Sequence, residues 1–394
     1  MSLTTVPTPL VAEAGLASSP FYGADHEQWR ATLRRWVARE VEPYVDGWER
    51  ERTFPRELYR KAAVVGLLQI GFPEAYGGIP GDIFMQTVST EELCRPAAGG
   101  LYASLMSHAI GAPPIAALGS EELKSRVLPE ILAGDKISAL AITEPSGGSD
   151  VARLQTTARR EGDQYVVNGS KTFITSGMRA DYYTVAVRTG AAGLGGISLL
   201  VMERDAAGFS RTPLEKMGWH CSDTATLHFD DVRVPVANRI GDENAGFAAI
   251  MRNFNAERIG LATMAIATAA AALEEAVAYA RVRETFGKPL IASQVIRHKI
   301  VEMTRQINAA RAYRDQVAWR IAAGDSPVAD VCMLKVQATT MLEFCAREAA
   351  QILGGASYAL GTKIERIYRE VRVLAIGGGS EEIMRDLAAR QLGL

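Results

Sequence analysis

The apolar positions in the first third of the chain recur with the spacing of helices. In the segment ADHEQWRATLRRWVAREVEPYV they stand three or four residues apart, at Trp29, Leu33, Trp36, Val37 and Val41. Ser120 has the residue type of a helix N-cap, and acidic residues follow it in the first turn of a helix predicted to end near Gly134. We therefore predict helices over residues 24–137, after a loose segment that comprises the first 20 residues.

After Lys136 the pattern changes to short runs that are rich in β-branched and aromatic residues and are separated by Gly and Pro. The run DQYVVNGSKTFIT has two strand-like halves around Asn168-Gly169, and an Asn-Gly pair in this position predicts a β-hairpin. Three further strand-like runs follow: DYYTVAVRTG, GISLLVMERD and TATLHFDDVRVP. We predict a middle β domain over residues 138–245.

From Gly246 onwards the helical spacing returns and continues to the end of the chain. The predicted helical segments are 246–282, 293–323, 327–353 and 364–392, with breaks at Gly287, Gly324 and Gly354-Gly355. Long helices with short connections are typical of an antiparallel four-helix bundle. The predicted fold class is multidomain α and β, with an α-helical N-terminal domain (residues 1–137), the middle β domain and a C-terminal four-helix bundle (residues 246–394).

Length, composition and charge agree with several domains and exclude some partners. A chain of 394 residues exceeds what a single hydrophobic core usually supports. Its 48% hydrophobic and 22% charged residues are ordinary values for a water-soluble protein. The net charge of −2 gives no reason to expect nucleic acid or an anionic membrane as a partner. The longest run without a charged residue or a histidine, 259–273, is about five residues too short to cross a bilayer.

Cysteines, histidines and the N-terminus argue against metal, disulfide and export functions. The four cysteines, Cys94, Cys221, Cys332 and Cys345, lie far apart without CxxC spacing. They are typical of buried or free thiols in a reducing compartment. The five histidines show no metal-ligand spacing, and the first 20 residues contain no Lys or Arg, unlike a signal or transit peptide. We expect a cytoplasmic protein without a metal site.

Common nucleotide-binding and hydrolase motifs are absent from the sequence. No GxxxxGK[ST] loop occurs, no GxGxxG follows a strand, and no GxSxG elbow is present. Nucleoside triphosphates, a Rossmann-bound dinucleotide and serine-hydrolase chemistry are therefore not indicated.

Two segments of the predicted β domain carry residues that suit a planar ligand. In LAITEPSGGSD, residues 140–150, small residues allow backbone to approach a ligand, and Thr143 and Ser149 supply hydroxyl groups. In KTFITSG, residues 171–177, Phe173 and Thr175 alternate onto one strand face, which suits stacking on a ring and hydrogen bonding to its edge. Each segment taken alone also has an ordinary interpretation, as a turn and as an amphipathic strand.

Three segments of the predicted bundle have possible ligand contacts. RVRETFGKPLIASQ, residues 281–294, contains Arg283, which is able to contact a phosphate, and QILGG follows at 351–355. In IGGGSEEIMRDLAARQL, Ser380 is able to cap a helix whose free N–H groups favour an anion or a polar ligand edge. A solvated arginine and a plain helix cap are the alternative interpretations.

Together and in this order, TEPSGGSD, NGSKTFITSG, RETFGK, QILGG and GGSEEI resemble the acyl-CoA dehydrogenase family, over nearly the whole chain from about residue 24. The resemblance implies FAD between the last two domains and a homotetramer in which a neighbouring subunit completes each FAD site. It also implies that a fatty acyl-CoA thioester is oxidised at its Cα–Cβ bond and that the electrons pass to an electron-transferring flavoprotein.

The resemblance assigns roles to residues by their positions. The flavin positions of the β domain are Leu140, Ile142, Thr143, Gly148, Ser149, Phe173 and Thr175. The positions that reach a neighbour's FAD are Arg283, Thr285, Phe286, Ser293, Gln294, Gln351, Gly354 and Gly355, and Ser380 and Glu382 belong to a further FAD segment. The acyl-CoA positions are Ser149, Asn255, Arg258, Gly378 and Gly379, and the N–H of Gly378 would bond to the thioester oxygen.

The position of the catalytic base departs from the commonest family pattern. Many members carry a catalytic Glu where this chain has Gly378. Long-chain and isovaleryl-type members instead carry the base in a Glu-Arg pair on the first bundle helix, and FNAERIGLA provides Glu257-Arg258. The resemblance thus implies Glu257 as the base and a long or branched acyl chain as the substrate. The alternatives are a buried ion pair at Glu257, an acyl-CoA oxidase or other flavoenzyme on the same scaffold, and a flavin-binding member without turnover.

Overall fold

The N-terminal region is helical, as its apolar spacing predicts. The computed structural model describes residues 19–394, so the segment predicted to be loose lies almost wholly outside the described residues. The helices are α1 (Ala24–Glu40), α2 (Val45–Glu51), α3 (Glu57–Val64), α4 (Ile83–Cys94), α5 (Gly99–Leu105), α6 (His108–Gly111), α7 (Pro113–Leu118) and α8 (Glu121–Leu132). The apolar stripe of α1 is buried at Leu33, Trp36 and Val37. The predicted cap of α8 is confirmed, since the Leu123 N–H donates to Ser120 Oγ at 3.2 Å.

The strands that follow form one mixed sheet. They are β1 (Ser138–Ala141), β2 (Thr157–Glu161), β3 (Gln164–Thr175), β4 (Tyr182–Arg188), β5 (Ile197–Glu203), β6 (Phe209–Pro213), β7 (Thr224–Pro235) and β8 (Arg239–Ile240). Their order across the sheet is β6-β7-β3-β2-β4-β5-β8, and β1 pairs in parallel with β4. Both faces of β4 and β5 are buried, which explains their nearly continuous apolar sequence. Apolar residues of α8, including Leu123, Val127 and Leu128, share a core cluster with Leu199 and Val201 of β5.

The position of the β2–β3 hairpin corrects the sequence prediction. Glu161 pairs with Gln164, so the turn is Gly162-Asp163, and Gly162 has a left-handed φ of +63°. Asn168-Gly169 lies inside the continuous strand β3, at a register shift in its pairing with β7. There the Asn168 side chain exchanges two hydrogen bonds with Asp231, each 2.9 Å long. The Asn-Gly pair therefore lies opposite a bulge, in which β7 has one more residue than β3, and it forms no turn.

The C-terminal region is helical and differs from the prediction in its last segment. It contains α9 (Gly246–Val282), the short strands β9 (Glu284–Thr285) and β10 (Lys288–Pro289), α10 (Gln294–Ala322), α11 (Val328–Leu353), α12 (Lys363–Ile376) and α13 (Glu381–Gln391). The first three predicted helical segments agree with α9, α10 and α11. The fourth is wrong as a single helix, because Gly378 and Gly379 adopt left-handed φ angles of +68° and +107° and separate α12 from α13. α11 packs against α10, α12 and α13.

The chain divides into two compact units. The helical unit contains residues up to Glu42, Ile83–Gly99 and Arg258–Leu394, and the sheet unit contains Pro43–Asp82 and Gly100–Glu257. α9 begins in the sheet unit and continues into the helical unit. This helix is long and apolar enough to cross a membrane, but 78% of its most apolar 18-residue window is buried within the protein. The predicted limits of the three domains follow the type of secondary structure and stay a prediction.

Candidate active site

Residues 140–150 and 171–177, which the sequence marks separately, lie side by side in the sheet unit. The carbonyl oxygen of Thr143 accepts a hydrogen bond from the backbone N–H of Thr172 at 2.8 Å. The carbonyl oxygen of Ile142 accepts one from Lys171 Nζ at 2.9 Å. Because β1 is itself paired with β4, the start of the first segment is anchored in the sheet. The two segments therefore form one surface, as a shared ligand requires.

A buried ion pair holds the loop that follows β1. Lys171 is fully buried, and its Nζ lies 2.8 Å from Oε1 of Glu144. The Glu144 carboxylate also accepts the backbone N–H groups of Gln155 at 2.6 Å and Thr156 at 2.8 Å, at the far end of the loop. Burial lowers the pKa of Lys171 to about 8, and the neighbouring carboxylate opposes this change. Burial would raise the pKa of Glu144, but Lys171 and the donated hydrogen bonds outweigh burial and lower that pKa.

Phe173 presents an exposed aromatic ring on an uncommon backbone conformation. Its φ is +58°, which a bulky residue rarely adopts, and 71% of its surface is exposed. It lies in a bulge between Lys171 and Ile174, where β3 has one more residue than β7. The prediction that Phe173 and Thr175 share one strand face stays a prediction, because the bulge at Phe173 interrupts the regular two-residue period of the strand. Thr175 is half-buried and pairs with Thr224.

The residues of this surface fit a flavin dinucleotide. Among the predicted flavin positions, Ile142 is buried, Leu140, Thr143 and Thr175 are half-buried, and Gly148, Ser149 and Phe173 are exposed. The Phe173 ring offers an apolar face, while hydroxyl groups and loop N–H groups offer donors for polar edges and phosphates. A Cβ at Gly148 would come within 3.2 Å of Thr143 Cγ2, so the glycine allows the loop to fold closely over Thr143.

In the helical unit, two buried cations contact the loop between α12 and α13, residues Gly377–Ser380, which we name the glycine loop. The Arg258 side chain is 4% exposed, and its Nε donates to the carbonyl oxygen of Gly378 at 3.2 Å. Lys335 is fully buried, and its Nζ donates to the carbonyl oxygen of Gly379 at 2.7 Å. The cap predicted at Ser380 is confirmed by the hydrogen bond from the Ile383 N–H, at 3.4 Å. The predicted substrate positions Arg258, Gly378 and Gly379 are thus brought together.

Glu257 is half-buried on α9, where it directly precedes Arg258. Successive side chains of an α-helix point about 100° apart, so its carboxylate does not share a face with the guanidinium. The Oε2 atom of Glu257 is shielded from solvent. Of the rival carboxylates, Glu381 bonds to Arg385 at 3.0 Å and Glu382 is exposed. The assignment of Glu257 as the base stays a prediction.

The positions predicted to reach a neighbour's FAD all lie on the surface of the helical unit. Arg283, Thr285, Phe286, Ser293, Gln294, Gln351, Gly354 and Gly355 are exposed. Phe286 stands at the tip of the β9–β10 hairpin with a φ of +52°, and its side chain is fully exposed. A large apolar ring that a tight turn directs outward is a feature of contact surfaces. Asn255, a predicted substrate position, is half-buried on α9.

Sequence reasoning missed the buried charges Glu144, Lys171 and Lys335. The burial of Lys335 was detectable in the sequence, because this lysine falls on the apolar stripe of α11. It lies four residues after Val331 and three before Ala338, both of which are buried. Glu144 and Lys171 lie within the two marked segments, but a charged residue in a loop or a strand is usually solvated. Neither stands out until its burial is known.

Three family models match consecutive parts of the chain. The model described as "Acyl-CoA dehydrogenase, N-terminal domain" matches residues 23–135, the middle-domain model matches 139–232, and the C-terminal-domain model matches 244–393. The order helical, β, helical that these models describe is the order that the sequence predicts and the structure shows.

Individual relatives are similar over almost the whole chain. The long-chain specific acyl-CoA dehydrogenase of rat mitochondria is 36% identical, over 94% of this chain and 87% of its own. A solved structure of a Mycobacterium smegmatis protein described as an acyl-CoA dehydrogenase is 48% identical, covers 95% of this chain and 99% of its own, and superposes with a TM-score of 0.93. A glutaryl-CoA dehydrogenase from M. smegmatis, solved in complex with FADH2, is 27% identical, covers 95% of this chain and 96% of its own, and has a TM-score of 0.89.

Proposed function

The chain belongs to the acyl-CoA dehydrogenase family, and we propose that it oxidises long or branched acyl-CoA thioesters with Glu257 as the catalytic base. As a family member it is an FAD-dependent oxidoreductase that dehydrogenates acyl-CoA. A proton leaves Cα, a hydride leaves Cβ, and a double bond forms between the two carbons to give the trans-2-enoyl-CoA. FAD, which the segments around Thr143 and Phe173 would hold, would supply the acceptor for this hydride.

The observation that carries the base assignment is the pair Glu257-Arg258 on α9. At the position where many members carry the base, Gly378 has no side chain, and its carbonyl is engaged by Arg258 at 3.2 Å. Because the α-proton of a thioester is weakly acidic, its removal needs a positioned base, for which a carboxylate in a closed site is suited. Glu257 is half-buried with one oxygen shielded from solvent, and it would take the α-proton on its carboxylate.

The other predicted residues bind the flavin or the acyl-CoA, or they polarise the thioester. By family position, the backbone N–H of Gly378 donates to the thioester oxygen, where negative charge develops as the α-proton leaves. By family position, Phe173 and Thr143 would hold the flavin ring, to which they offer an apolar face and a hydroxyl group. Ser149 and Asn255 contact the acyl-CoA.

The missing side chain at position 378 supports a long or branched substrate, because a Glu there would occupy space beside the reacting carbons. The rat relative named for long chains, at 36% identity, supports the same assignment. We expect palmitoyl-CoA and isovaleryl-CoA to give higher kcat/KM values than butyryl-CoA in a ferrocenium-coupled assay. Butyryl-CoA as the best substrate, with little activity on longer or branched thioesters, would overturn this assignment.

Glu257→Gln tests the base while nearly preserving the shape of the side chain. The rate constant of flavin reduction by palmitoyl-CoA, measured in anaerobic stopped flow, should fall by about 10²–10⁴-fold. Glu274→Gln is the matched control, since this glutamate lies exposed on the same helix, and we expect it to reduce flavin at the wild-type rate. A near-normal rate in Glu257→Gln would transfer the role to Glu381 or Glu382.

Moving the base to the glycine loop is not a simple rescue experiment in this chain. Gly378 has a φ of +68°, and a Glu there would adopt a left-handed conformation at a cost of about 1–2 kcal/mol. In Glu257→Gly with Gly378→Glu, we therefore expect at most partial recovery of activity, with a shift of preference to shorter, straight chains.

We further propose a homotetramer in which the exposed positions of the helical unit contact a neighbouring subunit's FAD. If two subunits bind each FAD, the protein should retain the cofactor only as long as the subunits stay assembled. Arg283→Ala should lower the flavin content after dilution and the temperature of unfolding, whereas Arg281→Ala, also exposed at the end of α9, should change neither. Light scattering that finds a monomer with full flavin content would contradict this proposal.

We propose an electron-transferring flavoprotein as the electron acceptor. The substrate-reduced enzyme should then be reoxidised faster by such a flavoprotein than by dissolved oxygen in stopped flow. Faster reoxidation by oxygen would indicate an oxidase. If acyl-CoA fails to bleach the flavin under anaerobic conditions, the protein is a flavin-binding member without turnover.

A further inference from the structure

The glycine loop is held on both sides of Gly378. On its N-terminal side, the N–H of Gly377 donates to the carbonyl oxygen of Val373 at 2.7 Å, in the last turn of α12. On its C-terminal side, Arg258 from α9 and Lys335 from α11 donate to the carbonyl oxygens of Gly378 and Gly379. Two successive carbonyl groups are therefore tied to two different helices of the helical unit.

These contacts also fix the directions of the N–H groups that share a peptide with the two held carbonyls, which are those of Gly379 and Ser380. A trans peptide is planar, and its C=O and N–H bonds point in opposite directions. Because Gly378 and Gly379 have φ angles of +68° and +107°, the segment depends on glycine, which moves between conformations more freely than any other residue. Contacts that direct the carbonyls therefore limit a motion that the glycines would otherwise allow.

The position of Lys335 is costly unless the lysine has a specific partner. Its side chain is fully buried on the apolar face of α11, near Val331, Leu334 and Ala338. Burial of an ammonium group is unfavourable, and an apolar residue of similar volume often stabilises a core at least as well. The hydrogen bond to Gly379, 2.7 Å long, gives the charge a defined partner, and that partner is the loop on which the proposed chemistry depends.

We propose that Lys335 is a positioning residue for the dehydrogenation. Its ammonium group holds the peptide between Gly379 and Ser380 and thereby limits the motion of the glycine loop, so that the N–H of Gly378 earlier in the loop stays directed at the thioester oxygen. The inference rests on the proposed function, in which this N–H stabilises the developing enolate while Glu257 takes the α-proton. Lys335 acts through the loop, and the expected effect is one of geometry: a misplacement of about 1 Å can cost about 10²-fold in rate.

Lys335→Met tests the proposal, because it removes the ammonium group and nearly keeps the volume. In the holoenzyme, the rate constant of flavin reduction by saturating palmitoyl-CoA, per bound flavin, should fall by about 10–10²-fold. A 3-thiaacyl-CoA, with sulfur in place of Cβ, loses an α-proton but no hydride, so exchange of that proton with D2O reports enolate formation alone. The exchange rate should fall by a similar factor, while the Kd of this ligand changes much less. Lower stability with both rates per flavin unchanged would overturn the proposal.

Two further variants keep the test decisive. Lys335→Gln retains a donor on a shorter side chain; it should show an intermediate loss of exchange rate, and an unchanged rate would overturn the proposal even if Lys335→Met does not fold. Lys216→Met is the matched control. Lys216 also donates to a main-chain carbonyl, that of Ser222 at 2.6 Å, but it does so in the sheet unit. We expect both rates per flavin to stay at the wild-type value in Lys216→Met.

Glu257→Gln in the same exchange assay separates this inference from the proposed function. Normal exchange in Lys335→Met together with lost exchange in Glu257→Gln would overturn the role of Lys335 and keep the base. The opposite result would keep the role of Lys335 and overturn the base.

Discussion

Two loops that carry predicted cofactor or substrate positions, one in each unit, are each held by a fully buried lysine, and the two lysines have different partners. In the sheet unit, Lys171 bonds to the carboxylate of Glu144 at 2.8 Å and to the carbonyl oxygen of Ile142 at 2.9 Å. In the helical unit, Lys335 bonds to the carbonyl oxygen of Gly379 at 2.7 Å. In the sheet unit the lysine thus supports the main chain both directly and through the Glu144 carboxylate, whereas in the helical unit it donates directly to a main-chain carbonyl.

The difference follows from what each loop requires. The loop after β1 is long, and Glu144 closes it by collecting the N–H groups of Gln155 and Thr156, so a lysine is needed to compensate the buried carboxylate. The glycine loop is short, and each of its two held carbonyl oxygens, those of Gly378 and Gly379, has its own donor. We therefore expect loss of the sheet-unit pair to lower mainly the free energy of unfolding, and loss of Lys335 to lower mainly the rate of catalysis.

The largest stability effect is expected for Glu144→Leu. This change leaves Lys171 as a buried charge and removes the acceptor of two backbone N–H groups. The free energy of unfolding should fall by about 3–5 kcal/mol, as measured by urea denaturation. Glu122→Leu, at an exposed position of α8, should change it by no more than about 0.5 kcal/mol. A loss below about 1 kcal/mol in Glu144→Leu would show that the pair is not what closes the loop.

Removal of both charges should restore part of the lost stability. Lys171→Met alone leaves Glu144 with its two backbone donors, so we expect a smaller loss of about 1–3 kcal/mol. The double variant Glu144→Leu with Lys171→Met should lose about 1–3 kcal/mol less than the sum of the single variants, because neither charge then remains buried without the other. Additive losses in this double-mutant cycle would argue against coupling of the two residues.

A pH dependence should distinguish the sheet-unit lysine. Burial lowers the pKa of Lys171 to about 8, from about 10.5 in the unfolded chain. Between these two values the unfolded state binds more protons, so Lys171 makes the free energy of unfolding rise with pH in this window. Below pH 8 both states are protonated and its burial is fully unfavourable. Urea denaturation from pH 7 to 10.5 should show this rise in wild type and lose it in Lys171→Met; parallel curves would contradict the assignment.

The smallest stability effects are expected at the two serine caps, one in each unit. Ser120→Ala and Ser380→Ala each remove one acceptor from a helix N-terminus, and each should cost about 1 kcal/mol. Ser380 also ends the glycine loop, so Ser380→Ala should in addition slow flavin reduction per bound flavin, while Ser120→Ala should not. Equal rates in the two variants would mean that the cap does not influence the loop.

The errors of sequence-based prediction occur where distant parts of the chain meet. An Asn-Gly pair suits a hairpin turn and a bulge equally well, and Asn168 takes part in a bulge because Asp231 of β7 offers its side chain two hydrogen bonds. The last segment was predicted as one helix, yet it breaks at residues 377–380, which are three glycines and a serine. At that break, cations from α9 and α11 hold the carbonyl oxygens of Gly378 and Gly379.

Preferences that act over a few neighbouring residues were enough to predict the helical segments up to α11, the strand-like runs, the two serine caps and the order of motifs that marks the family. Only the tertiary structure decided which charges are buried and what they hold. Lys171 and Glu144 are separated by 27 residues, and Lys335 and Gly379 by 44. A lysine in water gains little from any one partner, whereas a lysine that packing removes from water must find one. Burial is set by elements that are distant in sequence, so the residues that fix the site's main chain became visible only in the fold.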